Sequence, residues 1–430
     1  MKIKSILIAA LALLQTASLI AQAGPVPAKA QSKGIYITGA TAHLGNGQVI
    51  ENSVIAFDKG VITFVGTASP APAFDLSNYT HIDAAGQHVY PGLIAPDTQL
   101  GLVEIESIRA TRDGSETGDL NASIRAIVAY NTDSHIIPTV RSQGILLAQI
   151  VPQGGRISGL SSIVQLDAWN WEDAAYQTDD AVHMGWPEQF RFNRFSGELR
   201  KNEGYAESIR ELESFFKEAQ AYTKKATVEI RNLKFEAVRG LFDGKKQLFI
   251  HTNSAKSIQQ AVLFAQQYAL KLVIVGGRDA WLVSDLLKAN NVAVILGSTQ
   301  SLPATEDTDI DQPFKNPALL QKAGVLYCIG HDGVWQQRNL AFQAGQAVGF
   351  GLGKEEAITA LTMNTAKILG IDARTGTLEV GKDANLFVSA GDILDMRTSV
   401  VTRAFIQGRD VDLDNKQKAL YERFKQRYEK

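Results

Sequence analysis

Hydrophobic and polar positions change their spacing twice along the chain. Between residues 34 and 90 the apolar residues fall in short runs. Ser53-Val-Ile-Ala-Phe57 and Val61-Ile-Thr-Phe-Val65 flank Asp58-Lys59-Gly60, a turn triplet whose glycine can take positive φ. From Pro91 onward, apolar runs alternate with helical patterns. Strands are predicted at 146–151, 247–250, 272–275, 292–296 and 325–329, and helices at 256–268, 280–289, 317–322, 339–350 and 355–369. A long amphipathic helix is predicted over 206–233, with Ile209, Leu212, Phe216 and Ala219 on one face. At Asp383 short strands return, over 385–388 and 400–406, then Gly408-Arg409. A polar helix over 415–429 closes the chain, and no internal repeat is visible.

Alternating apolar strands and helices imply a parallel sheet covered by helices. A stretch this long suits a closed (β/α)8 TIM-type barrel better than an open sheet. Because both ends of the chain are strand-rich, the simplest architecture joins them into one small composite β-sandwich beside the barrel. The expected organisation is a signal peptide over 1–23, a linker over 24–33, sandwich strands over 34–90, the barrel over 91–372, returning sandwich strands over 373–412, and the helical end over 413–430.

The leader follows from its own pattern. Lys2 and Lys4 precede an apolar run over 6–14, and Ala21-Gln22-Ala23 supplies a small-x-small cleavage site before Gly24. Gln15, Thr16 and Ser18 break the run well short of the ~20 residues a membrane span needs. Secretion is expected, into the periplasm if the source is a diderm bacterium. With 43 Lys+Arg against 45 Asp+Glu the net charge is −2, so no basic field points to nucleic acid. Cys328 is the only cysteine, which excludes an intramolecular disulfide and any cysteine-rich metal site. A metal here must be held by histidine and carboxylate. The expected partner is a small-molecule substrate, with neither nucleic acid nor, after leader cleavage, membrane; a homo- or hetero-oligomer stays open.

In a β/α barrel, functional groups belong at the C-terminal strand ends. Asp97 and Gln99 stand two apart at the first strand end, so on a regular strand both would face the mouth. Asp97 suits a ligand or base and Gln99 a substrate-orienting amide; a helix-cap or turn role for Asp97 is equally open. His251 ends an apolar run, as does Asp332 within His331-Asp332-Gly333. A histidine there suits metal or proton transfer, and a carboxylate suits metal or water activation. The alternatives are a structural histidine and an Asx-type turn. Gly154-Gly155-Arg156 follows a strand; Arg156 could hold a substrate carboxylate, although a plain tight turn is the simpler reading. Trp186 and Trp169-Asn-Trp171 serve either as a substrate wall or as loop anchors.

Taken together, these residues resemble the amidohydrolase superfamily, in particular the imidazolonepropionase-like metal-dependent hydrolases. The anchors are Val89-Tyr-Pro-Gly-Leu-Ile94, Gly330-His-Asp332, Ala360-Leu-Thr-Met-Asn-Thr-Ala-Lys-Ile-Leu-Gly370 and Gly376-Thr-Leu-Glu-Val-Gly-Lys-Asp-Ala-Asn-Leu-Phe387. The resemblance implies a hydrolase of amide, imide or ring C–N bonds other than ordinary peptide bonds, with one or two divalent metals. It also implies a last-strand aspartate, here Asp332, that shuttles protons. The family's paired histidines after the first strand fall on Asp97 and Gln99, and its sixth-strand histidine has no match where Val275 leads into Gly276-Gly277-Arg278. The ligand set is therefore degenerate. The expected catalytic residues are Asp332 and His251, the substrate-binding residues Gln99 and Arg156, and the metal ligands Asp97, His251 and Asp332. One divalent metal, zinc by preference, or none is expected. The competing reading is a non-catalytic binding or partner-subunit protein that has lost the centre. A third reading is metal-independent acid–base chemistry by Asp332 and His251.

Overall fold

The chain opens with five strands: β1 (Gly34–His43), β2 (Val49–Asp58), β3 (Val61–Thr67), β4 (Tyr79–Asp83) and β5 (His88–Pro91). They belong to a computed structural model that describes residues 26–67, 76–193, 198–225, 227–303, 305–331 and 333–429. The expected signal peptide over 1–23 lies outside these residues. β2 and β3 pair as a hairpin closed by Lys59 and Gly60, with φ of 49° and 82°. Two positive φ values in a two-residue loop match the right-handed twist of the flanking strands.

The middle of the chain supplies β6 (Leu93–Thr98), β7 (Ile145–Ile150), β8 (Ile157–Leu160), β9 (Ser162–Gln165), β10 (Ala175–Gln177), β11 (Ala181–Gly185) and the hairpin β12 (Phe190–Asn193) with β13 (Glu198–Lys201). It continues with β14 (Gln247–Thr252), β15 (Leu272–Gly276), β16 (Ala293–Leu296) and β17 (Tyr327–Ile329). Two hydrogen-bonded arcs, β10-β9-β7-β6 and β17-β16-β15-β14-β11-β8, form the helix-covered barrel of the (β/α)8 type. Only Ser161 separates β8 from β9, so one bent strand links the arcs. That strand runs antiparallel to β7, β10 and β11, whereas the other barrel pairs run parallel. The reason is connection length: residues 151–156 join β7 to β8, far fewer than the dozen or so a parallel crossover needs.

Two helical expectations are corrected. The helix predicted over 206–233 is two helices, Tyr205–Thr223 and Leu233–Phe242. The first buries Leu212, Phe215, Phe216, Ala219 and Tyr222; its apolar stripe ends at Lys224-Lys225, and the Asn232 side chain caps the second by accepting from Lys234 N and Phe235 N. The helix predicted over 355–369 breaks at Thr362 (φ −129°, ψ −89°) into Lys354–Leu361 and Met363–Leu369. Thr362 is fully buried, and its hydroxyl donates back to Ile358 O at 2.7 Å.

The last strands, β18 (Leu386–Ser389), β19 (Val401–Ile406) and β20 (Arg409–Asp410), rejoin the first. The order is β20-β19-β18-β5-β1-β2-β3, with β4 on β1. Phe57 on β2 and Phe405 on β19 are four strands apart along this path, yet their ring centroids are 5.0 Å apart. The sheet therefore folds over its own core of Ile37, Ile55, Phe57, Ile62, Leu386 and Phe405. β5 leads directly into β6, and it pairs with β18 through Tyr90↔Phe387, which fixes this sheet against the barrel entry.

Candidate active site

The site is built by three barrel strands. β11 and β14 are parallel neighbours in the register His183↔Phe249 and Gly185↔His251. Facing residues in a parallel pair share a side, and so do residues two apart, so His183 lies one step below His251 on the same face. His183 Nδ1 is 3.0 Å from His251 Nε2. From β6, Asp97 Oδ1 lies 3.7 Å from His251 Nε2. One ligand atom from each of Asp97, His183 and His251 lies within 4.8 Å of the others.

Asp97 reaches this position through a bulge. The β6–β7 register passes from Ala95↔Ala148 to Thr98↔Ile150, placing two unpaired residues opposite one, and Asp97 has φ 49°. Aspartate tolerates the left-handed region better than most residues, and such strain concentrates at functional positions. The same bulge corrects the expected shared face of Asp97 and Gln99. Gln99 has left the strand, and its Nε2 donates to Gly114 O at 3.5 Å.

A buried polar network holds the bulge from beneath. Asp97 N donates to Gln149 Oε1 at 3.3 Å, and Gln149 Nε2 donates to Asp180 Oδ2 at 2.7 Å. Ser161 Oγ donates to Asp180 Oδ1 at 2.8 Å. Burial pushes the Asp180 carboxyl up to about 6, against the lowering effect of those hydrogen bonds. An acid whose pKa is higher folded than unfolded binds its proton more tightly when folded. Its contribution to stability is thus fully present below about pH 4 and lost as pH rises through about 6. Urea unfolding across this window should show wild type losing up to about 3 kcal/mol relative to Asp180→Asn as pH rises. A pH-independent difference would refute the assignment.

His183 is fully buried, and burial, reinforced by His251, drives its pKa well below the ordinary histidine value. It is neutral at physiological pH, the form that offers a lone pair to a metal or proton donor. Its Nε2 has no hydrogen-bond partner among the described residues, so no carbonyl or carboxylate there fixes its tautomer. His251, with 31% of its side chain exposed, lines a cavity of about 630 Å³ together with Asp97, Trp186, Glu188, Asn253, Arg278, Asn316 and His331.

Other expected residues stand elsewhere. Arg156 forms ion pairs with Asp119 at 3.3 Å and with Glu211, and it is not among the cavity-lining residues. Gly154 and Gly155 both take positive φ, as a tight turn requires. Arg278 lines the cavity, but its guanidinium is paired with Asp279 through Nε at 2.9 Å, so the cation is spoken for beside the vacancy left by the sixth-strand histidine. Trp186 lines the cavity, while Trp169 is exposed. Asp332 lies outside the described residues. Sequence reasoning missed His183, which sits inside an apolar run and not at its end.

Two imidazoles and one carboxylate make the donor set of a catalytic zinc site with its fourth position open. Bonds of about 2.0–2.2 Å place tetrahedral ligands roughly 3.3–3.6 Å apart, and the observed 3.0 and 3.7 Å bracket that edge. The residues fit a single divalent ion.

Comparison with known proteins gives the family and supports the fold. A family model described as the amidohydrolase family matches residues 179–411. The chain is 25% identical to an imidazolonepropionase of Rhizobium rhizogenes, over 80% of this chain and 88% of the relative. It is also 25% identical to that of Caulobacter vibrioides, over 82% and 92%. An amidohydrolase from Thermotoga maritima MSB8 superposes with a TM-score of 0.76 at 25% identity, covering 88% of this chain and 99% of that one. Molinate hydrolase, at 15% identity and a TM-score of 0.56 over 89% and 95%, shares the fold.

Proposed function

This chain belongs to the amidohydrolase family, and on that premise we propose that it is an exported hydrolase of non-peptide C–N bonds working at a reduced, single-metal site. The observation that carries this reading is the convergence of Asp97, His183 and His251 within 4.8 Å at a cavity large enough for a small molecule. Asp97, His183 and His251 would hold the ion. The chemistry that a divalent ion held there would supply is polarisation of a carbonyl and a lowered pKa for water.

The chain's own groups do the rest. Neutral His183 and the carboxylate of Asp97 supply lone pairs from the barrel floor, and His251 completes the set at the cavity wall. Asp332 keeps the general-base role given by its place in the sequence, taking the proton of attacking water and delivering it to the leaving nitrogen. Gln99 and Arg156 are left out of this assignment because their side chains are engaged with Gly114 and with Asp119 and Glu211. Relatives named imidazolonepropionase favour a ring amide among the candidate substrates.

The test is elemental analysis of the mature chain, purified without chelator or affinity metal, with a hydrolysis screen of cyclic amides and imides. Close to one zinc, manganese or iron per chain is expected, falling to background in Asp97→Ala. Background metal even after incubation with excess zinc would overturn the reading and leave the non-catalytic binding protein. Export is tested separately: the N-terminal sequence of the secreted protein should begin at Gly24.

A further inference from the structure

We propose that the C-terminal helix docks this protein on an anionic lipid surface. The helix, Lys416–Lys425, has no buried residue. It is held to the body at its N-terminal end, where Asn415 Nδ2 donates to Ser142 Oγ at 3.0 Å and Thr139 Oγ1 donates to Gln417 Oε1 at 2.7 Å. Leu420, Tyr421 and Phe424 fall on one side, and Tyr428 joins them in the final turn; all four are exposed and line one shallow apolar groove. At 100° per residue, Lys418 and Lys425 run along one flank of this stripe, and Lys416 and Arg423 along the other. Lys425 Nζ stands 5.9 Å from the Tyr421 ring centre, and the Arg423 and Arg427 guanidinium carbons 5.6 and 5.9 Å from those of Phe424 and Tyr428.

Residues 415–429 carry five cations against two carboxylates in a chain of net charge −2. An aromatic stripe between two rows of long cations is the pattern of an interfacial helix: the rings enter the headgroup boundary and the cations reach lipid phosphates. A second copy seated on the same face would set these cations against their own kind. Ten residues span about 15 Å, half of a bilayer core. No helix among the described residues is long and apolar enough to cross a membrane, and the proposed docking lays this one along the headgroup boundary without crossing it. This departs from the expectation, read from the sequence, that no membrane partner remains once the leader is removed.

The test is co-sedimentation of the chain from Gly24, which keeps every described residue, with two kinds of vesicle: phosphatidylcholine alone, and phosphatidylcholine with an equal part of phosphatidylglycerol. About tenfold or more stronger binding to the anionic vesicles is expected, weakening with added salt. Tyr421→Ser with Phe424→Ser, and separately Lys418→Glu with Lys425→Glu, should reduce binding to the phosphatidylcholine level. Circular dichroism and melting should change little, since none of the four side chains is buried and the contacts of Lys418 with Leu413 O and of Lys425 with Glu429 lie at the surface. Equal binding to both vesicles, binding to neither, or variants that bind like wild type would overturn the proposal. Self-association that Tyr421→Ser with Phe424→Ser abolishes, without vesicle binding, would assign the face to a second copy instead.

Discussion

His183→Ala is expected to lower kcat/KM for amide hydrolysis by about 10²- to 10⁴-fold, the range for loss of a positioned catalytic or ligating group, and to strip the chain of bound metal. The effect is large because the site has three converging donors and no spare among the described residues. The alanine also empties a fully buried volume against Phe249, whose ring centroid is 4.8 Å away, so part of any loss could be folding. His183→Asn separates the two. It fills more of the cavity and keeps polarity but lacks the imidazole lone pair, so it should restore most of the stability and little of the activity. Because donors to one ion act as a unit, Asp97→Ala combined with His183→Ala should cost scarcely more than either alone. Additive losses, or His183→Ala with normal metal content and rate, would remove His183 from the centre.

How much of this was legible in the sequence depends on where each signal sits. The barrel and the composite sheet follow from spacing: apolar runs of strand length separated by helical patterns in the middle, and short strands at both ends. The turn at Asp58-Lys59-Gly60 was equally plain, because a polar triplet ending in glycine stands between two apolar runs; pairing of Asp58 with Val61 narrows the loop to Lys59 and Gly60. His183 was hidden because Ala181–Gly185 is short and apolar, and a single histidine within such a run reads as core. Its role emerges only from the register with β14, a long-range fact that puts it beside His251. The Asp97–Gln99 argument failed for a local reason. Period-two alternation assumes extended backbone, and one positive φ at Asp97 breaks it. The antiparallel third strand was in principle readable from the six-residue connection, which forbids a helical crossover. Arg156 illustrates a different limit: a lone arginine after a glycine turn does not declare which carboxylates the fold brings to it, here Asp119 and Glu211.

Asp167→Ala is expected to cost about 3–5 kcal/mol of folding free energy, the largest single loss outside the site. Asp167 has 2% of its side chain exposed and lies between Arg141, at 2.8 Å, and Arg409, at 2.9 Å. It also accepts from Ala28 N at 2.8 Å. Four distant parts of the chain meet on this carboxylate: the segment at Ala28, the helix Ile136–Arg141, the segment after β9, and β20. Arg141 is further tied to Leu166 O and Asp412 O at 2.8 and 2.9 Å. Removing the anion leaves the buried Arg141 guanidinium and the half-buried Arg409 guanidinium without their counter-charge at this point, which costs more than the pairs contributed while intact. Asp167→Asn keeps the shape and one acceptor but not the charge, so it should fall between wild type and alanine. Replacing Asp167 and Arg141 together by leucine and methionine removes both charges and should recover part of the loss. Urea unfolding of the set measures this order. A loss below about 1 kcal/mol in Asp167→Ala would place the cluster with exposed ion pairs in energetic terms. The joining of the chain ends to the barrel would then rest on the β5–β18 pairing and the apolar core of the composite sheet.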